Sequence, residues 1–465
     1  MTAHVVIIGG GISGLAAAHR VLELNHSAKV TILEASDRLG GTIQTEHRDG
    51  FLIERGPDSF ISEKPQALAL VKRLGLESQI IETNEQYRRS FIVRNGRLRA
   101  VPEGFQLMAP SRIWPFLTSD IFSLAGKARM AADLFLPRKS TNGANNEDVG
   151  DESLASFVRR RLGEEALARM AQPMVGGIYT ADPETLSLRA TLPRFLEMER
   201  KHRSLILAML RQGREQKSGT SGARYSLFLS FDRGMQVLVE KLPRINADFR
   251  VKTRALRLTL DQGWTITTDQ DEQIKADAVC LAVPAYVAAS LISDAHQRLG
   301  EKLRQIKYAS TATLNFGYRR SAIAHPLNGF GFVVPLIEKR SLIACTFSSV
   351  KFAGRAPDGH VLLRAFAGGA LQPEIFALDE AEMSAKVEAD LRELLGISED
   401  PLFVETAKWE RSMPQYEVGH LERVDEIERL MNELPGLALA GNAYRGAGIP
   451  DCIRSGEEAA EALLR

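Results

Sequence analysis

The sequence predicts a mixed α/β chain, α/β where its two ends meet and α+β overall, and three observations predict it. A strand, a glycine turn and a helix open the chain at His4–Leu24. A second strand, glycine-rich turn and helix close it from Leu437 to Leu463. Between them, helical patterns give way to short segments that alternate apolar with small or polar residues, as half-buried antiparallel strands do. Units of one kind at both ends imply a single Rossmann-like, nucleotide-binding domain built from discontinuous segments. The expected division is 1–85, 225–292 and 402–465 for that domain, 86–224 for a helical subdomain, and 293–401 for a mixed or antiparallel sheet domain. A chain of 465 residues exceeds one simple core, so several cores are expected.

The elements follow in order. His4–Ile8 reads as a strand, Gly9–Gly14 as a tight turn, Leu15–Leu24 as a helix and Lys29–Glu34 as the next strand. Leu117, Ile121, Leu124, Ala128, Ala132 and Phe135 recur at helical spacing, so 115–136 is expected to be an amphipathic helix or helix pair with that stripe buried. Residues 140–150 and 213–223 read as loops, flanking helices at Leu154–Arg161, Glu164–Met170 and Leu192–Leu210. Strands are expected at 249–253, 255–260, 264–268, 278–282, 311–318, 330–335, 342–348 and 361–366, and a helix at Glu380–Leu395.

Composition excludes several classes of function. A net charge of +1 without blocks of like charge argues against nucleic acid or a polybasic membrane surface as partner. Cys280, Cys345 and Cys452 are far apart and match neither a zinc or iron–sulfur spacing nor a disulfide framework, so no metal is expected and a reduced, cytoplasmic setting is. No apolar run reaches the length of a membrane span, and the first strand begins at once without a leader-like segment.

Gly9-Gly10-Gly11-Ile12-Ser13-Gly14 fits G-x-G-x-x-G between a strand and a helix. Gly9 permits the sharp turn, Gly11 lets backbone approach a pyrophosphate, and Gly14 lets the helix pack on the strand. The helix N-terminus offers unpaired N–H groups to phosphate. Glu34 stands 20 residues beyond Gly14, where a carboxylate holds a ribose hydroxyl. After Ala35, the run Arg38-Leu39-Gly40-Gly41-Thr42 allows a second close approach, with Arg38 adding charge at the pyrophosphate.

This R-x-G-G continuation resembles the FAD-binding superfamily of monoamine oxidases, phytoene desaturases and porphyrinogen oxidases, which also carry a C-terminal glycine segment such as Gly446-Ala447-Gly448-Ile449 here. FAD is therefore the expected cofactor. Ile53–Phe60, Gly177-Ile178-Tyr179, His202–Ile206, Ser412–Tyr416 and Gly448–Ile453 are similar to the bacterial protoporphyrinogen/coproporphyrinogen III oxidase family, nearly end to end. That resemblance implies oxidation of a porphyrinogen in heme biosynthesis by hydride transfer to flavin, with O2 as acceptor and H2O2 as product. Coproporphyrinogen III is the favoured substrate and protoporphyrinogen IX the other. It implies FAD contacts from Gly9, Gly10, Gly11, Ile12, Ser13, Gly14, Glu34, Ala35, Arg38, Gly41, Thr42, Gly56, Pro57, Asp58, Ser59, Trp409, Ala447, Gly448 and Ile449, with Val251 acting through its backbone against adenine. For the substrate it implies Arg89 on a propionate, Lys64 facing the active site and Ile178 clamping the macrocycle. No acid–base catalytic residue is expected; positioning carries the step, and the nine dispersed histidines read as structural. The resemblance further implies at most peripheral membrane contact, with the next heme-pathway enzyme as a candidate protein partner, and the sequence is compatible with a monomer or a homodimer alike. The readings left beside it are an amine or carotenoid oxidase of the superfamily and a non-catalytic flavin-binding protein.

Overall fold

The computed structural model describes residues 3–106, 109–110, 112–139, 150–215 and 227–465. They fall into two compact units, Met1–Thr83 with Tyr225–Lys307 and Leu421–Arg465, and Asn84–Arg224 with Tyr308–His420. The expected loop at 140–150 lies outside the described residues except for Gly150, as does 216–223 of the second loop. Where that second loop is described, the helix Leu205–Glu215 continues past Gly213.

The first unit opens with β1 (His4–Ile8), α1 (Ile12–Leu24), β2 (Lys29–Leu33) and α2 (Pro65–Arg73). Much later residues supply β3 (Asp248–Arg250), β4 (Ala278–Leu281), β5 (Leu437–Leu439) and α3 (Ile449–Leu463). The five strands pair in parallel in the order β3-β2-β1-β4-β5. Parallel strands covered on both faces read as unbroken apolar runs, and Val5–Ile8 and Ala278–Leu281 are buried throughout for that reason. A small antiparallel sheet of Ala255–Leu260, Trp264–Thr268 and Gln273–Ala276 precedes β4; its third strand has no counterpart in the sequence reading. α3 lies along α1 so closely that a Cβ on Gly456 would stand 2.2 Å from the Ser13 carbonyl oxygen.

The second unit holds a seven-stranded sheet in the spatial order Phe403–Pro414, Tyr308–Arg319, His360–Gly368, Ala344–Phe347, Gly331–Val333, Ser90–Arg94 and Arg97–Ala100. All neighbours are antiparallel except Gly331–Val333 and Ser90–Arg94. Met383, Val387 and Leu391 of the helix Glu380–Leu395 share one buried core with Leu314, Phe316 and Tyr318 of the sheet. A helical part centres on Phe116, Phe157, Phe195 and Met209, and its core also takes in Ile92 and Tyr416. That shared core makes one unit of what the sequence divides into a helical subdomain and a sheet domain.

The structure moves three expected boundaries. Residues 402–420 belong to the second unit rather than the nucleotide-binding one, because Phe403–Pro414 forms a long ladder with Tyr308–Arg319. Residues 293–307 belong to the first, where Arg298 and Lys302 of the helix Gln297–Arg304 both reach Glu426. The division at 85/86 falls at Thr83/Asn84, where the Asn84 N–H donates to the Lys351 carbonyl.

The expected helix pair forms at Ile113–Thr118 and Leu124–Ala131, but its buried face differs from the predicted stripe. Phe116, Ile121, Phe122 and Met130 are buried, while Leu117, Leu124 and Phe135 are exposed. Residues 119–123 are not helical and reset the phase, and the Glu165 carboxylate, accepting from the Ser123 N–H (2.8 Å) and hydroxyl (2.6 Å), orients the second helix. Likewise the expected helix Leu192–Leu210 is two helices, Pro193–His202 and Leu205–Glu215, broken where Arg203 adopts φ +65° and the Ser204 hydroxyl donates to buried Asp133.

Candidate functional site

The turn after β1 is organised by its glycines. Gly9 adopts φ +109°, and a Cβ there would meet the Ala282 carbonyl oxygen at 2.3 Å. Gly14 faces the Gly9 carbonyl so closely that a Cβ would stand 1.9 Å from it, which is the close helix–strand approach its place in the motif predicts. Gly11 differs, since a Cβ on it would meet nothing nearer than the Gly41 Cα at 4.0 Å. The backbone thus faces open space beside the helix end. Gly11 caps α1 without a side-chain hydrogen bond, and the helix has no acidic residue in its first turn. The N–H groups of Ile12, Ser13 and Gly14 have no carbonyl a turn earlier to take them, so an anion suits that end.

A second loop closes beside the first. Gly40 donates its N–H to the Gly10 carbonyl at 2.8 Å and pairs with Gly11 in a short parallel bridge. Glu34 accepts from the Gly10 N–H at 2.7 Å through one oxygen and from the Ser36 N–H at 2.8 Å through the other. Backbone donors fix both oxygens in place, and each keeps acceptor capacity for a ribose hydroxyl. Ala35 is exposed beside it. Val251, also exposed, runs alongside: Lys252 and Thr253 donate to the carbonyls of Ser36 (2.7 Å) and Glu34 (2.9 Å). Gly56 stacks on the loop, since a Cβ there would lie 1.7 Å from the Thr42 carbonyl oxygen, and Pro57, Asp58 and Ser59 follow it half-buried. Gly9, Gly10, Gly11, Ile12, Ser13, Gly14, Glu34, Arg38, Gly41, Thr42, Gly56 and Val251 thus lie on segments joined by direct backbone contacts, and these residues fit a dinucleotide.

Two expected side chains have other partners. Arg38 donates to the carbonyls of Leu39 and Ile43 at 3.1 Å and of Gly41 at 2.5 Å, so its charge braces the loop from within. Lys64, expected to face a substrate, places its ammonium on both oxygens of Asp451 at 2.7 and 2.6 Å. Asp451 lies in the first turn of α3, two residues after the run Ala447, Gly448 and Ile449, and is buried. The sequence reading assigned Asp451 no role. Its partner is 387 positions away, and no local pattern signals such a pair. Glu54 was also missed: it is buried and accepts from the Thr45 hydroxyl (2.8 Å) and the Met235 N–H (2.7 Å), holding the start of Gln236–Lys241. Cys452 is a free, buried thiol whose pKa is pushed up to about 12 by burial, as is that of Cys280.

The remaining expected residues belong to the second unit. Arg89 is exposed just before Ser90–Arg94, and its carbonyl accepts from the Phe330 N–H at 2.7 Å. Nearby, Arg99 pairs with Asp120 at 2.8 Å, while Arg88 and Arg97 are exposed. Ile178 is 51% exposed near the end of the helix Gln172–Tyr179, which stops at Thr180 in the left-handed region. Trp409 is half-buried on the strand Phe403–Pro414, opposite Thr311. Among the described residues no helix is long and apolar enough to cross a membrane, and no cluster of His, Cys, Asp and Glu could hold a metal.

Comparison with known proteins places this geometry. The model of the flavin-containing amine oxidoreductases matches residues 12–464. The chain is 36% identical, over 99% of its length and 98% of the other's, to a Bacillus subtilis (strain 168) protein named coproporphyrinogen III oxidase. It is 29% identical, over 98% of its length and 84% of the other's, to a Nicotiana tabacum protein named protoporphyrinogen oxidase, chloroplastic. A crystal structure from Exiguobacterium sp. 255-15 superposes with a TM-score of 0.87 at 31% identity, covering 100% of this chain and 99% of that one. The chain belongs to the flavin-containing amine oxidoreductase family: it is an oxidoreductase, and its cofactor is FAD.

Proposed function

We propose that this chain oxidises coproporphyrinogen III to coproporphyrin III, in preference to protoporphyrinogen IX, in heme biosynthesis. The observation that carries the reading is similarity along the full length of a protein named for that reaction, higher than to one named for protoporphyrinogen. Bound FAD takes two electrons per turn, so loss of six electrons and six protons from the macrocycle takes three turns, each closed by reduction of one O2 to one H2O2.

The chain's own part is to hold and orient. Glu34 takes the ribose, the first-turn N–H groups of α1 take the pyrophosphate, and Gly11 leaves backbone open for its approach. Ala35, Thr42, Gly56–Ser59, Val251 and Ala447–Ile449 complete the cofactor site. Arg38 serves it indirectly, by keeping the Leu39–Ile43 loop in shape. For the substrate, the exposed guanidinium of Arg89 matches a propionate fork to fork, and the exposed Ile178 offers an aliphatic surface to the flat ring. No residue is assigned as a general acid or base, since positioning and preorganised electrostatics suffice for such a transfer.

The test is oxidation of coproporphyrinogen III and protoporphyrinogen IX side by side, followed by porphyrin fluorescence and peroxide. A higher kcat/KM on coproporphyrinogen III is expected. Preference for protoporphyrinogen IX reverses the ordering, and yellow protein that yields neither fluorescence nor peroxide removes the enzyme reading altogether.

A further inference from the structure

The ion pair of Lys64 and Asp451 ties together two stretches on which the proposed FAD site depends. Lys64 is the N-cap of α2, shortly after Gly56–Ser59, and Asp451 stands in the first turn of α3, shortly after Gly446–Gly448. The carboxylate side chain is 8% exposed and the lysine 44%. Gly446, at φ +137°, curls over the carboxylate so tightly that a Cβ there would lie 2.4 Å from the Asp451 Cγ. Arg454, one turn further along α3, comes within 3.6 Å of the same carboxylate and donates to the Arg445 carbonyl at 2.8 Å.

A buried carboxylate in the first turn of a helix opposes the partial positive charge of the helix end. That end carries about half an elementary charge, so an uncompensated carboxylate would outweigh it. With Lys64 on both oxygens the pair is neutral, and the helix end keeps its net positive character. Removing the lysine charge takes the local balance from about +0.5 to about −0.5, and removing the carboxylate charge takes it to about +1.5. Arg454 is common to every case and leaves the signs of these differences unchanged.

We propose that the Lys64–Asp451 pair positions the Gly446–Gly448 turn and sets the charge that bound FAD meets at the N-terminus of α3, thereby tuning the flavin's reduction potential. The inference rests on the FAD placement proposed above, with the isoalloxazine lying beside Ala447–Ile449 at this helix end. Both residues are positioning residues. Reduction adds negative charge to the isoalloxazine, so a more positive helix end raises the potential and a more negative one lowers it.

The experiment measures FAD content and the two-electron reduction potential of the purified holoprotein for the wild type, Lys64→Met, Asp451→Asn, the double variant and Lys64→Arg. Asp451→Asn should raise the potential and Lys64→Met should lower it. Each change should be at least tenfold in the ratio of reduced to oxidised flavin, about 30 mV for a two-electron couple. The double variant and Lys64→Arg should stay within that margin of the wild type. If Lys64→Met cannot hold flavin, the nearly isosteric Asp451→Asn measured against Lys64→Arg still decides the sign. Shifts of the same sign, no shift in flavin-loaded variants, or loss of FAD from every variant including Lys64→Arg would overturn the assignment and leave a structural clamp. A wild type that binds no FAD would instead defeat the placement on which it rests.

Discussion

Arg89 and Lys64 are two cations that resemblance puts beside one substrate, and their surroundings separate them. Lys64 is held on a buried carboxylate, whereas the Arg89 guanidinium is exposed before the strand Ser90–Arg94. A charge-assisted fork to a carboxylate contributes about 1.5–3 kcal/mol, and exposure argues for the low end of that range. Arg89→Ala should therefore raise KM for coproporphyrinogen III about tenfold while leaving flavin content unchanged. Steady-state kinetics beside the flavin absorbance would check this, and loss of FAD from the variant would show that Arg89 is misplaced. At this scale the glycine turn and Glu34 were legible in the sequence, because Gly14 and Glu34 act on neighbours within one strand–turn–helix–strand unit. The commitments of Arg38 were not, since its carbonyl partners depend on how 39–43 folds back.

Among elements, the contact of α1 with α3 joins the two ends of the chain, and Gly456 is a point of close approach. Burying added methyl groups in a packed interface costs about 1–3 kcal/mol, and the obstacle here is backbone: the Ser13 carbonyl and the Ala17 nitrogen. Gly456→Val should lower the urea midpoint by an amount in that range and weaken FAD retention, because Ser13 lies in the first turn of α1. A variant with an unchanged midpoint and full flavin content would contradict the packing argument. The helix pair at 113–131 teaches the opposite lesson about periodicity. Leu117, Leu124 and Phe135 keep helical spacing across a break that is not helical, so the stripe they define never shares one face. Arg161, buried against Asp133, with its Nε on a carboxylate oxygen at 2.6 Å, is a further tie that local pattern reading passes over.

Over the whole molecule, His4, His19 and His325 share one electrostatic sign: burial is the leading cause that lowers each pKa below 6.5. In His325 the Nδ1 accepts from the Leu327 N–H at 3.0 Å, so protonation there also breaks a bond. A depressed folded-state pKa means that the unfolded chain binds protons first. The stability these groups contribute is complete above pH 6.5 and is lost as pH falls below that value through the folded-state pKa values. Urea midpoints measured from pH 8 down to 5.5 should hold between 8 and 7 and then decline, and a flat profile across that range would refute the expectation. The units themselves were only partly visible beforehand. The discontinuous nucleotide-binding unit follows from like motifs at both ends, but residues 402–420 joined the second unit through a strand ladder that no spacing announces.

What the sequence by itself determined is everything carried over short range: the alternation of strands and helices, the glycine turns and the acidic residue after β2. These depend on dihedral freedom and on hydrogen bonds between near neighbours, which residue type and spacing encode directly. Only the tertiary structure decided which apolar stripe of the helix pair is buried, where one unit ends and the other begins, and that Lys64 belongs to Asp451. Each of those outcomes depends on groups far apart in the chain competing for the same buried surface or the same charge.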